Sequence, residues 1–155
     1  MARVKPYRVG RSRTGLGLFA TAVIDKDAFI ITYRGRRISH AEAARREGRG
    51  ARYVFELDAR WSIDGASRRN MGRYANHSCR PNAEADLVAG KLILRAIKRI
   101  SPGDEITYHY GREYFDLFLK PVGCKCAHCA GKRAARRRTG SRRDRGQLAA
   151  TGGTD

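Results

Sequence analysis

Apolar and β-branched residues recur along this chain in short blocks separated by turn-forming residues, not in long helical stripes. Phe29-Ile30-Ile31-Thr32-Tyr33 is one such block, closed by Gly35, and its β-branched and aromatic content predicts a strand. Tyr53-Val54-Phe55-Glu56-Leu57 predicts a second. Leu92-Ile93-Leu94-Arg95-Ala96-Ile97 predicts a third, bounded by Gly90 and by Pro102-Gly103. Between the first two, Ser39 with Glu42 three residues on forms a capping-box pattern, and Gly48 ends the run, so a short helix is expected near 39–47. Several strands, one helix and no regular β-α alternation point to a mainly β fold of small sheets and argue against a doubly wound sheet. No apolar run reaches the roughly 20 residues of a spanning helix. The charged opening Met-Ala-Arg-Val-Lys lacks the apolar region of a secretory leader. Neither a leader nor a membrane partner is therefore expected.

Charge changes this picture. The 155 residues carry 33 Lys and Arg against 15 Asp and Glu, a formal net charge of +18. So large an excess implies an acidic partner, with nucleic acid the default. Residues 132–145, KRAARRRTGSRRDR, hold eight of the basic residues, and residues 132–155 together carry +6, leaving +12 on the remainder. With no apolar face to bury, 132–155 is expected to lack regular structure. Its basic run suits a nucleic-acid anchor or nuclear-targeting patch, or simply a solvated terminus.

Three motifs carry candidate chemistry. GLGLFA at 15–20 satisfies the dinucleotide pattern G-x-G-x-x-A, but β-like residues and turn signals follow it where that fold needs a helix. What survives is that two glycines let a ligand lie against the backbone, or permit a tight turn. The cysteines are Cys79, Cys124, Cys126 and Cys129, three of them packed into CKCAHC. Without a secretion signal, clustered thiolates read as a metal site instead of disulfides. Four thiolates would form a closed, structural Zn²⁺ shell that ties the C-terminal segment to the middle of the chain, with His128 an alternative fourth ligand. The third motif is Arg73-Tyr74-Ala75-Asn76-His77-Ser78-Cys79-Arg80-Pro81-Asn82, followed by Gly103-Asp104-Glu105-Ile106-Thr107-Tyr108-His109-Tyr110. The Asn-His-Ser within it is a chance glycosylation sequon.

With these motifs in order, the chain closely resembles the SET-domain protein lysine methyltransferases. The markers are GxGLF (Gly15 to Phe19), YxG (Tyr33 to Gly35), the Tyr53-Val54-Phe55 block, NHSCxPN (Asn76 to Asn82), GDExTYxY (Gly103 to Tyr110) and a Cys-rich post-SET segment. The resemblance implies a β-clip-like fold of small sheets with a knot-like C-terminal segment. It divides the chain into a SET domain at 6–119, a post-SET zinc segment at 120–131 and a basic tail at 132–155. S-adenosylmethionine is the implied cofactor, held by Gly15, Leu16, Gly17, Tyr53, Arg73, Asn76, His77 and Tyr110. Tyr110, Tyr108 and Tyr33 are the implied catalytic residues. Tyr108 matches the family's Phe/Tyr switch, so mainly monomethylation is expected. Cys79, Cys124, Cys126 and Cys129 are the implied structural zinc ligands, although only two residues separate Cys126 from Cys129 where the family usually has four.

The expected substrate is an exposed lysine on a basic chromatin- or nucleoid-type protein, or on a host histone, and the expected state is a monomer. The corresponding location is the cytoplasm or nucleoid, or a host nucleus or chromosome for a secreted effector, and the minimal architecture looks prokaryotic or viral. The rival readings are a non-catalytic nucleic-acid-binding module on the same fold and a methyltransferase of a non-chromatin protein. A catalytic part that is itself +12 would repel a basic substrate. Either Glu56, Asp58, Glu113 and Asp116 gather at the substrate face, or nucleic acid screens the partners.

Overall fold

The computed structural model describes residues 5–148, and side-chain surroundings through residue 138. Contacts divide the chain into two compact units, one ending at Tyr110 and the other beginning at Gly111.

The first unit holds three small sheets. Strands β1 (Tyr7–Ser12) and β2 (Gly15–Ala20) form a hairpin, and the remaining strands are β3 (Phe29–Thr32), β4 (Arg36–Ser39), β5 (Val54–Glu56), β6 (Trp61–Asp64), β7 (Asn76–His77), β8 (Ala83–Val88), β9 (Lys91–Ala96) and β10 (Glu105–Tyr108). The sheets are ordered β1-β2-β10-β7, β3-β9-β8 and β4-β6-β5. All three expected strands form, as β3, β5 and β9. GLGLFA is itself a strand, because Ser12 pairs with Gly15 across the two-residue Arg13-Thr14 loop, and Gly15 turns the corner at a φ of 118° that side chains rarely adopt. The β8–β9 hairpin turns at Ala89-Gly90, both at positive φ, as a two-residue connection requires.

Helix α1 (His40–Gly48) lies where the capping pattern places it, with Ser39 Oγ accepting from the Glu42 N–H at 3.2 Å. The reciprocal half of the box is absent. The Glu42 carboxylate turns instead to Arg45 and Arg46, and these guanidiniums, Arg46 foremost, hold it down to about 2. Two charged partners on the next turn outcompete one backbone N–H.

The core sits where alternation buries one face of each strand. On β9, Leu92, Leu94 and Ala96 point inward; Leu18 of β2 and Ile106 of β10 face each other in register, both fully buried. Strand β10 is flanked by antiparallel β2 and parallel β7. Beyond β7 its pairing is completed by one side chain. Asn82 Nδ2 donates to the Glu105 carbonyl at 2.8 Å and Asn82 Oδ1 accepts from the Thr107 N–H at 2.9 Å. The Asn82 N–H donates to the Thr107 carbonyl at 3.2 Å.

In the second unit, a single helical turn, α2 (Arg112–Tyr114), runs into a π-helical turn at Phe115–Leu119, with the Tyr114 and Phe118 rings 4.8 Å apart. Helix α3 spans Ala127–Leu148. Most of the segment expected to lack regular structure is thus helical. Its Ala, Arg, Lys and Gln are strong helix formers whether or not a face is buried. The absence of an apolar stripe, which motivated the expectation, leaves 131–138 exposed on every side. Residues 149–155 of that expected tail lie outside the described residues. Among those described, no helix is long and apolar enough to cross a membrane.

Replacing Asn82 with Ala strands the Thr107 N–H and the Glu105 carbonyl in a half-buried setting. The expected loss is about 1–3 kcal/mol of stability, read as a lowered denaturation midpoint with unchanged slope. An unaltered midpoint would show that the amide does not support β10.

Candidate active site

Sheet register assembles the motifs. Because β10 pairs with β2 on one edge and β7 on the other, GLGLFA, Asn76-His77 and Glu105–Tyr108 become adjacent, with Thr107 opposite Asn76 and Tyr108 opposite His77. The three stretches are 15–20, 76–77 and 105–108, and only the pairing makes them neighbours.

Asn76 lies at the meeting point. Its Nδ2 donates to the Leu16 carbonyl at 2.9 Å, to Glu105 Oε1 at 2.7 Å and to Ser12 Oγ at 3.3 Å. The amide is thereby oriented with its nitrogen toward β2, and its Oδ1 makes no hydrogen bond among the described residues. Gly17 is what allows this arrangement. A Cβ there would stand 2.4 Å from Glu105 Oε1 and 2.9 Å from the Ser12 Cβ. The second glycine of GLG therefore makes room for the carboxylate that holds Asn76. Gly15 serves the hairpin corner and has open space around it.

His77 bridges backbone and cysteine. The Tyr110 N–H donates to His77 Nδ1 at 3.3 Å, which makes Nδ1 the acceptor and places the proton of the neutral ring on Nε2, 3.4 Å from Cys79 Sγ. Burial, then the neighbouring His109, lowers the His77 pKa to about 4, so the neutral form holds at neutral pH. The Tyr110 hydroxyl donates to the Ala75 carbonyl at 2.9 Å, which fixes the ring from both ends.

From there a run of aromatic rings crosses the unit. Centroid separations are 5.5 Å for His77–Tyr110, 4.8 Å for Tyr110–Tyr108, 5.9 Å for Tyr108–Phe55 and 5.2 Å for Phe55–Tyr33. Tyr33 and Tyr108 are 2% and 4% exposed, so this is a dry aromatic wall. The Tyr33 hydroxyl donates to the Tyr53 carbonyl at 3.0 Å. Burial foremost, then the negative charge of Asp64, pushes its pKa well above the ordinary tyrosine value, so it remains a donor. Gly65 packs against this ring, where a Cβ would approach it to 2.3 Å and Asn70 Nδ2 to 2.5 Å.

The structure therefore brings together Tyr33, Tyr108, Tyr110 and His77, and separately Leu16, Gly17 and Asn76. Tyr53 and Arg73 form a third group. The Arg73 guanidinium lies 4.1 Å from the Tyr53 ring centroid and donates to the Ala66 carbonyl. Its Nε is buried without a hydrogen-bond partner among the described residues. Among those residues, no hydrogen bond or ring contact joins the Gly15–Gly17 stretch to Tyr53 or Arg73.

Cys124 and Cys126 are buried, Cys79 and Cys129 half-buried, and the four Sγ atoms lie within 4.8 Å of one another. His128 is not part of this group. Four sulfurs at about 2.3 Å from one Zn²⁺ would stand about 3.8 Å apart, so the spacing and the soft donor set fit a closed thiolate site that could hold a metal. The carbonyl of Cys124 is held by Arg133 Nη1 at 2.7 Å.

Sequence reasoning passed over four residues that organise the site. Glu105 and Asn82 were visible only as letters of their motifs. Asn70 is 2% exposed, accepts from the Arg34 N–H at 2.9 Å and donates to the Gly65 carbonyl at 3.1 Å. Nothing in SRRN marks it as buried. Phe55, within a recognised strand, is the ring that joins Tyr33 to Tyr108.

Comparison with known proteins gives the family of the chain. Residues 15–111 match the SET domain family. The chain is 32% identical over 142 residues to a histone-lysine N-methyltransferase, H3 lysine-4 specific, of Neurospora crassa, covering 83% of this chain and 11% of that protein. It is 36% identical over 137 residues to the histone-lysine N-methyltransferase Set2 of Drosophila melanogaster, covering 81% and 6%. Among solved structures, a humanized mutant of the Chaetomium thermophilum Polycomb Repressive Complex 2 bound to the inhibitor GSK126 superposes with a TM-score of 0.62 at 34% identity, covering 70% of this chain and 15% of that one. The chain spans about a tenth of the length of the curated relatives it matches.

Proposed function

The chain belongs to the SET-domain family, and we propose that it is an S-adenosylmethionine-dependent protein-lysine N-methyltransferase that mainly monomethylates an exposed lysine. The observation that carries this reading is the aromatic run from Tyr33 to Tyr110 beside the Asn76–His77 strand, because methyl transfer to an amine needs alignment and dryness more than acids or bases.

The cofactor, when bound, supplies a methyl group on a sulfonium. Asn76 Oδ1, an acceptor without a partner among the described residues, would accept from its amino-acid ammonium, and the backbone of Leu16 and Gly17 would flank it. The unspent Arg73 Nε on the Tyr53 face offers a donor beside an aromatic surface. Burial among Tyr33, Phe55, Tyr108 and Tyr110 disfavours the lysine ammonium, whose unperturbed pKa is about 10.4. The amine is thus presented neutral, and its proton leaves to solvent. Tyr110, fixed through its N–H and its hydroxyl, orients the amine; such positioning is worth about 100-fold in rate per ångström of misplacement. The Tyr108 hydroxyl limits room for further methyls.

The four-cysteine group is read as a structural zinc site, since a shell closed by four thiolates leaves no open position for catalysis. The basic run at 132–145 supports retention on nucleic acid. We read its location as the nucleoid, or a host chromosome if exported, with DNA-associated proteins as substrates.

Incubation with labelled cofactor and DNA-associated basic proteins should transfer label to lysine, and Tyr110→Phe should lower the rate by about 100-fold. No transfer to any protein, together with salt-sensitive DNA binding, would favour a non-catalytic module instead. Mass spectrometry should show mostly monomethyl-lysine with the wild type and a rise in di- and trimethyl product with Tyr108→Phe; an unchanged distribution would remove the switch. Elemental analysis should find one zinc per chain, lost in Cys126→Ser, whereas a metal-free protein with reduced thiols would reject the zinc reading.

A further inference from the structure

Beside the aromatic run lies a cleft of about 420 Å³ whose lining includes Arg34, Arg36, Arg46, Asp64, Arg69 and Asn70. It shares a wall with the site. Asn70 lines the cleft and is also the residue that Gly65 seats against the Tyr33 ring, while Arg34 and Gly35 directly follow Tyr33 in the chain.

Its charge is not balanced internally. Arg46 is engaged by Glu42 and Asp64, which uses up the only acid lining the cleft. Arg34, Arg36 and Arg69 are exposed and make no ion pair among the described residues. Three open guanidiniums around one cleft form a site for an anion, and the planar fork of arginine matches a carboxylate.

Two of the four acids expected to welcome a basic substrate, Asp58 and Asp116, are meanwhile committed elsewhere. Asp58 accepts from Arg37 and from the N–H groups of Arg60 and Trp61. Asp116 pairs with Arg112 and Lys120. An extended nucleic-acid backbone would call for cations in a line along an open surface. Here Arg34, Arg36 and Arg69 instead gather around one cleft next to the aromatic wall.

Resting on the lysine-methyltransferase reading, we propose that this cleft binds acidic side chains flanking the target lysine, so that the preferred substrate segment is a lysine set among Glu or Asp. The +12 of the catalytic part then attracts the segment it modifies, even where the rest of the substrate protein is basic and DNA-bound.

The test compares two fluorescent peptides, a central Lys flanked on both sides by Glu and its Gln-flanked counterpart, in anisotropy titrations with the full chain. The Glu peptide is expected to bind about tenfold tighter, equivalent to about 1.4 kcal/mol, with the advantage shrinking as salt rises. Arg34→Gln combined with Arg69→Gln should abolish the advantage while leaving affinity for the Gln peptide unchanged. Arg36→Gln alone should halve it or more, which keeps the result readable if the double variant folds poorly. Equal binding of both peptides by the wild type would overturn the proposal. So would an advantage that survives in a folded double variant. Methyl transfer measured on the same peptides separates the two claims. A binding preference without turnover sinks the enzymic reading and leaves the cleft, whereas turnover without preference sinks the cleft alone.

Discussion

Strand β10 must satisfy its backbone on both edges, and that requirement organises the first unit. A buried strand cannot leave N–H and C=O groups unpaired without a cost of about 1–3 kcal/mol each. On one edge β2 answers, through Glu105 opposite Phe19 and Ile106 opposite Leu18. On the other, two-residue β7 answers in parallel, the Ser78 N–H reaches the Tyr108 carbonyl at 3.1 Å, and the Asn82 side chain completes the pairing. Each partner brings its own chemistry to β10. GLG comes with β2, Asn76 and His77 come with β7, and β10 itself carries Tyr108 toward Tyr110.

Side-chain amides and glycines then convert adjacency into geometry. Asn76 can span to the Leu16 carbonyl only because Gly17 leaves space for Glu105. Tyr33 can lie 2% exposed against Phe55 only because Gly65 has no side chain to intrude on it. Both are close-approach uses of glycine: in each case neighbouring atoms occupy the place of the missing Cβ. The dense packing on this side of the unit gives a dry aromatic wall, and low dielectric is the property that a neutral amine requires.

Electrostatics follows a different logic. Several acids of the first unit are used locally, Glu42 by Arg45 and Arg46, Asp64 by Arg46, Asp58 by Arg37, Asp86 by Arg95 and Asp25 by Arg99. Exposed pairs of this kind contribute little stability each, about 0–1 kcal/mol. Their larger effect is to leave the surplus arginines unmatched, so the net +18 of the chain becomes a set of available cations, some of them gathered in one cleft. Charge that composition could only assign to the chain as a whole has a location, and the location is next to the residues proposed for chemistry.

Local pattern was enough for some elements and not for others. Strands β3, β5 and β9 were legible because β-branched runs end at turn residues, and α1 because Ser39 and Glu42 lie three apart. Helix α3 carries no apolar stripe to mark it, and rests on the propensity of its Ala and Arg residues instead of on burial. The order of motifs, the four cysteines and the tyrosines that meet in the aromatic run were all present in the linear chain, since composition and spacing are local properties. What only the tertiary structure decided is which residues hold them. Asn70, Asn82, Glu105 and Phe55 act through partners 20 or more residues away, as in Asn70 to Arg34, Asn82 to Thr107 and Glu105 to Asn76. Hydrogen-bond satisfaction and close packing are settled between distant segments, and no window of neighbouring residues contains that information.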